Sequence, residues 1–404
     1  MSAHPKTAEP LFAAAWSTKA SWDTAWREAS SALREGLGGR SPDLVVAFVS
    51  HAVAGPREEI GQRLSAELHA KTVLACGARG VLGGEREVEA GPALSLWAAC
   101  LPDTEVRPFE VRLGGEEGTA GTAFEGLPEV RDASRAGVLV LADPYSFPVV
   151  DWIEALHDKL PETPVLGGLA VPEEGSEHAL LCTANGVSNA GAIGVVVEGA
   201  VALSAAVSQG CKPVGKPWVV TGCEDNLVLK LSGRPAMEVL METLAQLPPE
   251  EREALQRGPF LGLAVDARKS VFGRGDFLAR GLIGIDKKRS ALAVADPSLR
   301  NGMSVQFLVR DAASAGEDIL HSVACVRGAR RFDRTSAGAL VFTCNGRGQR
   351  MFGEEHHDAR HLRQALGADV PVAGFFALGE IGPIGGRNFV HGFTASTAIF
   401  HTRS

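Results

Sequence analysis

One order of segments recurs three times along the chain, and it constrains the fold more than any other feature. In residues 42–50, "PDLVVAFVS" is an apolar, β-branched run, and "REEIGQRLSAEL" then places Ile60, Leu64 and Leu68 at helical spacing. "KTVLACGARGVLGG" and "ALSLWAAC" follow, so the order reads strand, helix, strand, glycine turn, strand. It returns in "AGVLVLADP", "VVDWIEALHDKL", "TPVLGGLA" and "NAGAIGVVVEG", and again in "GALVFTCNG", "HHDARHLRQAL", "VPVAGFFALGEIGPIGG" and "ASTAIF". A helix between the first and second strands predicts that each pair is parallel with a right-handed crossover. The pairs Gly83 and Gly84, Gly167 and Gly168, Gly385 and Gly386 fall at comparable points after the second strand. Glycine there permits positive φ or a close backbone approach.

Segments of antiparallel character lie between the second and third units. "WVVTGCEDNLVLKLSG" reads as a hairpin turning at Glu224, Asp225 and Asn226, and "RPAMEVLMETLAQL" as a helix with Pro235 near its start. "PPEEREALQRG" adds a short helix, "FLGLAVD", "LARGLIGID", "SALAVAD" and "MSVQFLVRD" add strands, and "ASAGEDILHSVACVRGA" is the helix before the last unit. The expected class is α/β in the repeats and α+β in the insertions: two related domains with mixed sheets flanked by helices. An N-terminal segment, 1–40, leads into a first domain, 41–233, and a second, 234–404, with the boundary near Gly233.

The 404 residues are enough for domains that bury their own cores without disulfides. A net charge of −8 with both signs interspersed excludes a nucleic-acid or anionic-membrane surface, which needs clustered Lys and Arg. The dense basic spots, 287–289 and 327–334, are short enough to be solvated loops. Seven widely spread cysteines without a C-x-x-C pair suggest neither a disulfide framework nor a zinc knuckle. With no signal h-region and no apolar run of membrane-spanning length, a cytoplasmic location is expected; the oligomeric state is not readable.

Ligands of α/β units bind beyond the carboxyl ends of parallel strands. Asp143 and Asn345 follow first strands, and Arg79, Glu380, Arg387, Asn388 and His391 follow second strands. These seven are the candidate ligand-binding residues. Arg387 suits a carboxylate and Glu380 an amine. The alternatives are that Asp143 and Asn345 cap helices and that Glu380 pairs with Arg387 as a structural ion pair.

Other motifs carry less. "GCKPVGKP" has Pro217 where a phosphate-binding loop needs Ser or Thr, and "CNGRGQRM" is an incomplete G-x-G-x-x-G. His357 and His361 sit at i, i+4 without an evident third ligand, so no metal is expected. No catalytic residue is assigned. An enzyme reading would use Cys344 or Cys211 as nucleophile with His391 nearby.

The strings "SQGCKPVGKPWVVTGCEDNLVLKLSGRPAMEVL", "GRGDFLARGLIG", "VQFLVRDAASAGEDI", "VFTCNGRGQRMFG" and "GEIGPIGGRNFVHGFTAS" resemble the FIST family, with its paired N- and C-terminal domains, over residues 13–400. The resemblance implies a bacterial signal-transduction module that senses a small ligand, an amino acid among them, without catalysis. It implies a separate signalling protein, such as a kinase, as partner, since the chain carries no output domain. Some relatives bind haem and sense nitric oxide, which makes haem the cofactor alternative to none, with His391 matching the family motif. Gly77 and Arg79 depart from the family pattern of a small polar residue and an acid, a change that bears on the ligand.

Overall fold

Every residue of strand Leu44–Ser50 is buried; it runs parallel to Thr72–Ala78 on one side and antiparallel to Leu94–Cys100 on the other. The second repeat sets Ala136–Ala142 between parallel Val165–Leu169 and antiparallel Ala192–Gly199. The third sets Ala337–Cys344 between parallel Val372–Ala377 and antiparallel Ala395–Thr402. Helices Ile60–Leu68, Val149–Lys159 and His357–Leu366 make the crossovers. The mixed α/β class and the repeated unit expected from the sequence are therefore what this computed structural model shows; it describes residues 9–114, 123–266, 268–269, 271–296, 298–329 and 337–403. Residues 330–334 of the second basic spot lie outside the described residues, as do residues 1–8 of the N-terminal segment.

The repeats are interlaced. After its second strand each makes a hairpin: Val81–Gly83 with Arg86–Val88, Leu181–Thr183 with Gly186–Val187, and Glu380–Ile384 with Arg387–His391. None of the three pairs with its own second strand. The first repeat's hairpin joins Val372–Ala377 of the third, the third's joins Val165–Leu169 of the second, and the second's joins Thr72–Ala78 of the first. Each second strand would otherwise leave an open edge of backbone donors and acceptors, and the exchange closes all three.

Alternation along the strands fills two kinds of core. Leu44, Val46 and Phe48 enter a common core with Leu139, Leu141, Leu340 and Phe342, so the inner faces of three sheets meet. Val45, Ala47 and Val49 face the opposite way and pack with the residues of covering helices. Phe48 stacks on Phe375 at 4.9 Å and meets Phe342 edge-on at 6.3 Å. Truncation of such a residue to Ala costs about 3–5 kcal/mol.

Two expectations change. Gly167 and Gly168 lie inside strand Val165–Leu169, not in a turn, because a Cβ on Gly167 would stand 1.9 Å from Val140 O of the neighbouring strand. Residues 11–36 are more than a leading segment: strand Leu11–Ser17 pairs antiparallel with Leu94–Cys100, and helix Trp22–Gly36 buries Trp22, Trp26, Ala29 and Leu33 along one face.

The larger compact unit comprises Met1–Val207 and Ile319–Ser404, and the smaller Ser208–Asp318. In the smaller unit, strands run in the order Cys211–Glu224, Ser304–Arg310, Phe260–Ala264, Phe277–Asp286, Ala291–Val294, Leu227–Leu231. The last pairs back to the first, which closes a small barrel. The expected hairpin turn is there, with Asp225 at φ 49°. In sequence, Gly233 falls inside this unit. Among the described residues, no helix is long and apolar enough to cross a membrane.

Candidate functional site

Backbone hydrogen bonds put the three repeats in register. Ser50, Asp143 and Cys344, each at or just past the end of a first strand, donate N–H to Ala93, Gly191 and Thr394 at 2.8, 2.8 and 3.0 Å. Two residues earlier, Phe48, Leu141 and Phe342 face Cys76, Gly168 and Phe375 on the second strands, which in turn face Leu181, Glu380 and Val81 of the exchanged hairpins. Glu380 is therefore a buried acid at a position that holds Val81 and Leu181 in the other two hairpins.

The Glu380 side chain is wholly buried. Its Oε2 accepts from Thr394 N–H at 3.0 Å, its Oε1 has no hydrogen-bond partner, and the Cys344 thiol interacts with the carboxyl. Burial pushes this carboxyl up to about 8, so it is mostly protonated at neutral pH. Burial, then the Glu380 carboxyl, push the Cys344 thiol up to about 12. That thiol is no nucleophile. Cys211 is buried on a barrel strand, so the thiol-enzyme reading gains nothing from either cysteine.

Beside them lies an ion pair that sequence reasoning missed. The Arg347 guanidinium binds Asp358 through Nε at 2.6 Å and Nη2 at 2.8 Å, and Nη1 donates to Phe393 O at 3.1 Å. Thr343 Oγ1 and His357 Nδ1 complete the Asp358 shell at 2.7 and 2.9 Å. Burial opposes ionisation of Asp358, but Arg347 and these hydrogen bonds hold it well below the usual carboxylate range. The first repeat's hairpin contributes Glu87, whose Oε1 accepts from Ala359 N–H at 2.7 Å while Oε2 is unpartnered. Burial, then the Asp358 charge, push Glu87 up to about 8.

Two glycines shape the loop. Gly348 has φ 112°, a left-handed conformation, with the Glu89 carboxyl packed where a Cβ would stand. Gly346 admits the Phe393 ring in the same way. Phe393 itself holds φ 60° and is partly exposed.

The other predicted residues separate. Glu380 faces His391 at one end of the hairpin and Ile384 faces Arg387 at the other, so Glu380 and Arg387 stand four residues apart, about 13 Å along a strand. They form no ion pair and cannot share a compact ligand; Arg387 is exposed. Asn388 clamps the second repeat, accepting from Val165 N–H and donating to Thr163 O, both at 2.9 Å. Asp143 ties its own loop through Tyr145 N–H and Ser146 Oγ at 3.1 and 2.7 Å and also meets His178; it does not cap helix Val149–Lys159, whose N-cap is Pro148. Asn345 is half-buried beside the Cys344 cluster, and Arg79 is exposed. His391 is buried with Nε2 2.9 Å from Gly382 O, which does not fit a haem ligand. His361 Nδ1 lies 2.7 Å from His357 O, and no metal-binding group of His, Cys, Asp and Glu occurs among the described residues.

Arg347 is visible in the sequence only as part of an incomplete G-x-G-x-x-G, and Asp358 only as a spacer in "HHDARH". An acid and a base on either side of a glycine turn were the available signal.

Fold and site define an interlaced three-repeat α/β protein with a buried acid and thiol at the end of its third parallel strand pair. The FIST N domain family model matches residues 43–234 and the FIST C domain model residues 236–383. The chain belongs to the FIST family, whose domains are associated with signal transduction and small-ligand sensing. It is 39% identical over 374 residues to the uncharacterized protein Rv0628c of Mycobacterium tuberculosis, covering 92% of this chain and 95% of that one. It is 38% identical over 374 residues to the uncharacterized protein Mb0898c of Mycobacterium bovis, covering 92% and 94%.

Proposed function

We propose that this chain is a non-catalytic bacterial sensor that binds a small polar metabolite, an amino acid first among the classes to test, at the Glu380 end of the third repeat. It then acts on a separate signalling protein such as a kinase. One observation carries the reading: Glu380 is a buried acid where the equivalent hairpin positions hold Val81 and Leu181. A buried carboxyl destabilises a fold relative to the apolar residues that serve elsewhere, so its presence favours a role other than packing.

The chemistry supports an amine-bearing ligand. A ligand ammonium takes the place of the Glu380 proton and forms a charge-assisted hydrogen bond in a dry site. Access runs past Phe393, whose carbonyl O accepts from Arg347 Nη1, and Thr394, whose N–H donates to Glu380 Oε2. Displacing that loop alters the partly exposed Phe393 ring, a surface change that a partner can read. A thermal-shift screen of amino acids and related amines tests the proposal against the Glu380→Leu variant, which restores the second repeat's residue type. Stabilisation of wild type alone supports it; stabilisation of both, or of neither, contradicts it.

A further inference from the structure

Helices Trp22–Gly36 and Ile60–Leu68 bury their apolar residues in one core against the first repeat's sheet. A groove of about 370 Å³ opens between them, a volume in the range of small-molecule sites. Arg27, Ser31 and Arg34 line it at i, i+4 and i+7 of the first helix, and all three are exposed, so they form its rim. Ser30 lies deeper: it is 5% exposed, and among the described residues its hydroxyl has no hydrogen-bond partner. A buried hydroxyl in that state favours an incoming polar group.

The second helix supplies the opposite wall. Arg63 lies over the Trp22 and Trp26 rings, its Cζ 5.8 Å from each centroid, with Nε 3.3 Å from Glu59 Oε2. Glu67 Oε2 accepts from Trp26 Nε1 at 2.9 Å, and Glu67 O accepts from Arg34 Nη2 at 3.3 Å. Asp23 Oδ1 stands 3.7 Å from Arg63 Nη1. A carboxylate has about four acceptor sites, so Asp23 and Glu67 can still accept. Most of the Arg34 donors are likewise unspent, and among the described residues Arg27 has no ion pair.

Rim and floor therefore select different groups. Two guanidinium forks and a hydroxyl at the rim match a phosphoryl group, whose three terminal oxygens accept more donors than the two of a carboxylate. Below them, Asp23 and Glu67 repel a second anion and accept from hydroxyls. We propose that this groove binds a sugar phosphate, with the phosphoryl group at Arg27, Ser31 and Arg34 and the sugar hydroxyls at Ser30, Asp23 and Glu67. The site shares no residue with the Glu380 end of the third repeat, so it stands apart from the amine reading given there.

The test titrates the full chain at constant ionic strength with glucose 6-phosphate, ribose 5-phosphate and inorganic phosphate, and reads binding by ³¹P line broadening. At least one sugar phosphate is expected to bind about tenfold more tightly than inorganic phosphate. Arg27→Gln with Arg34→Gln, on an exposed helix face, should weaken that binding about a hundredfold. Ser30→Ala, which suits a helix, should weaken the sugar phosphate several-fold and leave inorganic phosphate unchanged. Urea midpoints close to wild type show that both variants fold. The proposal is overturned if neither sugar phosphate binds, if neither binds more tightly than inorganic phosphate, or if the double substitution leaves the affinity unchanged.

Discussion

Arg347 holds Asp358 by two hydrogen bonds of 2.6 and 2.8 Å with both side chains out of contact with water. The pair joins the loop after the third repeat's first strand to the start of helix His357–Leu366, and Arg347 also carries Phe393 O. Removing one partner strands a buried charge. Asp358→Asn or Arg347→Met is expected to lose about 3–5 kcal/mol in urea unfolding, and the double change Arg347→Met with Asp358→Leu to lose less than the two single losses summed. Additive losses would show that the two residues act independently.

Three carboxyls of the third-repeat site bear on the pH dependence of stability, two raised and one depressed. Glu380 and Glu87 have folded-state values raised from 4.5 to about 8, so their protons are held more tightly in the folded chain. Their stabilising effect is complete below the unfolded value and is lost as pH rises through about 8. For Glu380 alone, the loss by pH 7 is about 3 kcal/mol. Asp358 acts in the opposite sense, and its contribution is lost as pH falls below the ordinary aspartate value of 3.8. Chemical denaturation between pH 5 and pH 8 should show stability falling with pH, less steeply in Glu380→Leu. Equal slopes in the two proteins would remove Glu380 as the cause.

The exchanged hairpins predict how the chain can be divided. A fragment of residues 41–233 lacks the hairpin that pairs with Val165–Leu169, and a fragment of residues 234–404 lacks the one that pairs with Val372–Ala377. Neither is expected to give a dispersed amide spectrum alone, and co-expression is expected to restore a folded complex. Residues 208–318, a closed barrel, should fold when excised. Independent folding of 41–233 would contradict the interlaced arrangement.

How much of this was legible in the sequence depends on range. Strands such as Leu44–Ser50 and Ala337–Cys344 are buried on both faces, so they read as unbroken apolar runs, and the helices between them show their spacing. The repeats and the α/β class follow from those local signals. Pairing of Val81–Gly83 with a strand nearly three hundred residues later, where Gly83 faces Ala373, leaves no local mark. The same limit applies to the site. Its place after a buried strand singles out Glu380 in the sequence, whereas Arg387 and Asn388, close to it in sequence, lie at the far end of a hairpin. Arg347 and Asp358 were missed because only the folded loop brings them together.

Cysteine reactivity gives a further check. Cys344 is buried and its thiol is pushed up to about 12, whereas Cys325 is exposed. Iodoacetamide at pH 8 should modify Cys325 and leave Cys344 unmodified until the chain is unfolded. Rapid native-state labelling of Cys344 would contradict its placement beside Glu380.

The central claim is that an amine-bearing ligand displaces the Glu380 proton. Calorimetric titration at pH 7, in buffers of different ionisation enthalpy, with the amino acid that most stabilises wild type measures this directly. The predicted result is release of close to one proton per ligand bound, with no binding to Glu380→Leu. Binding without proton release, or binding to Glu380→Leu at unchanged affinity, would contradict it.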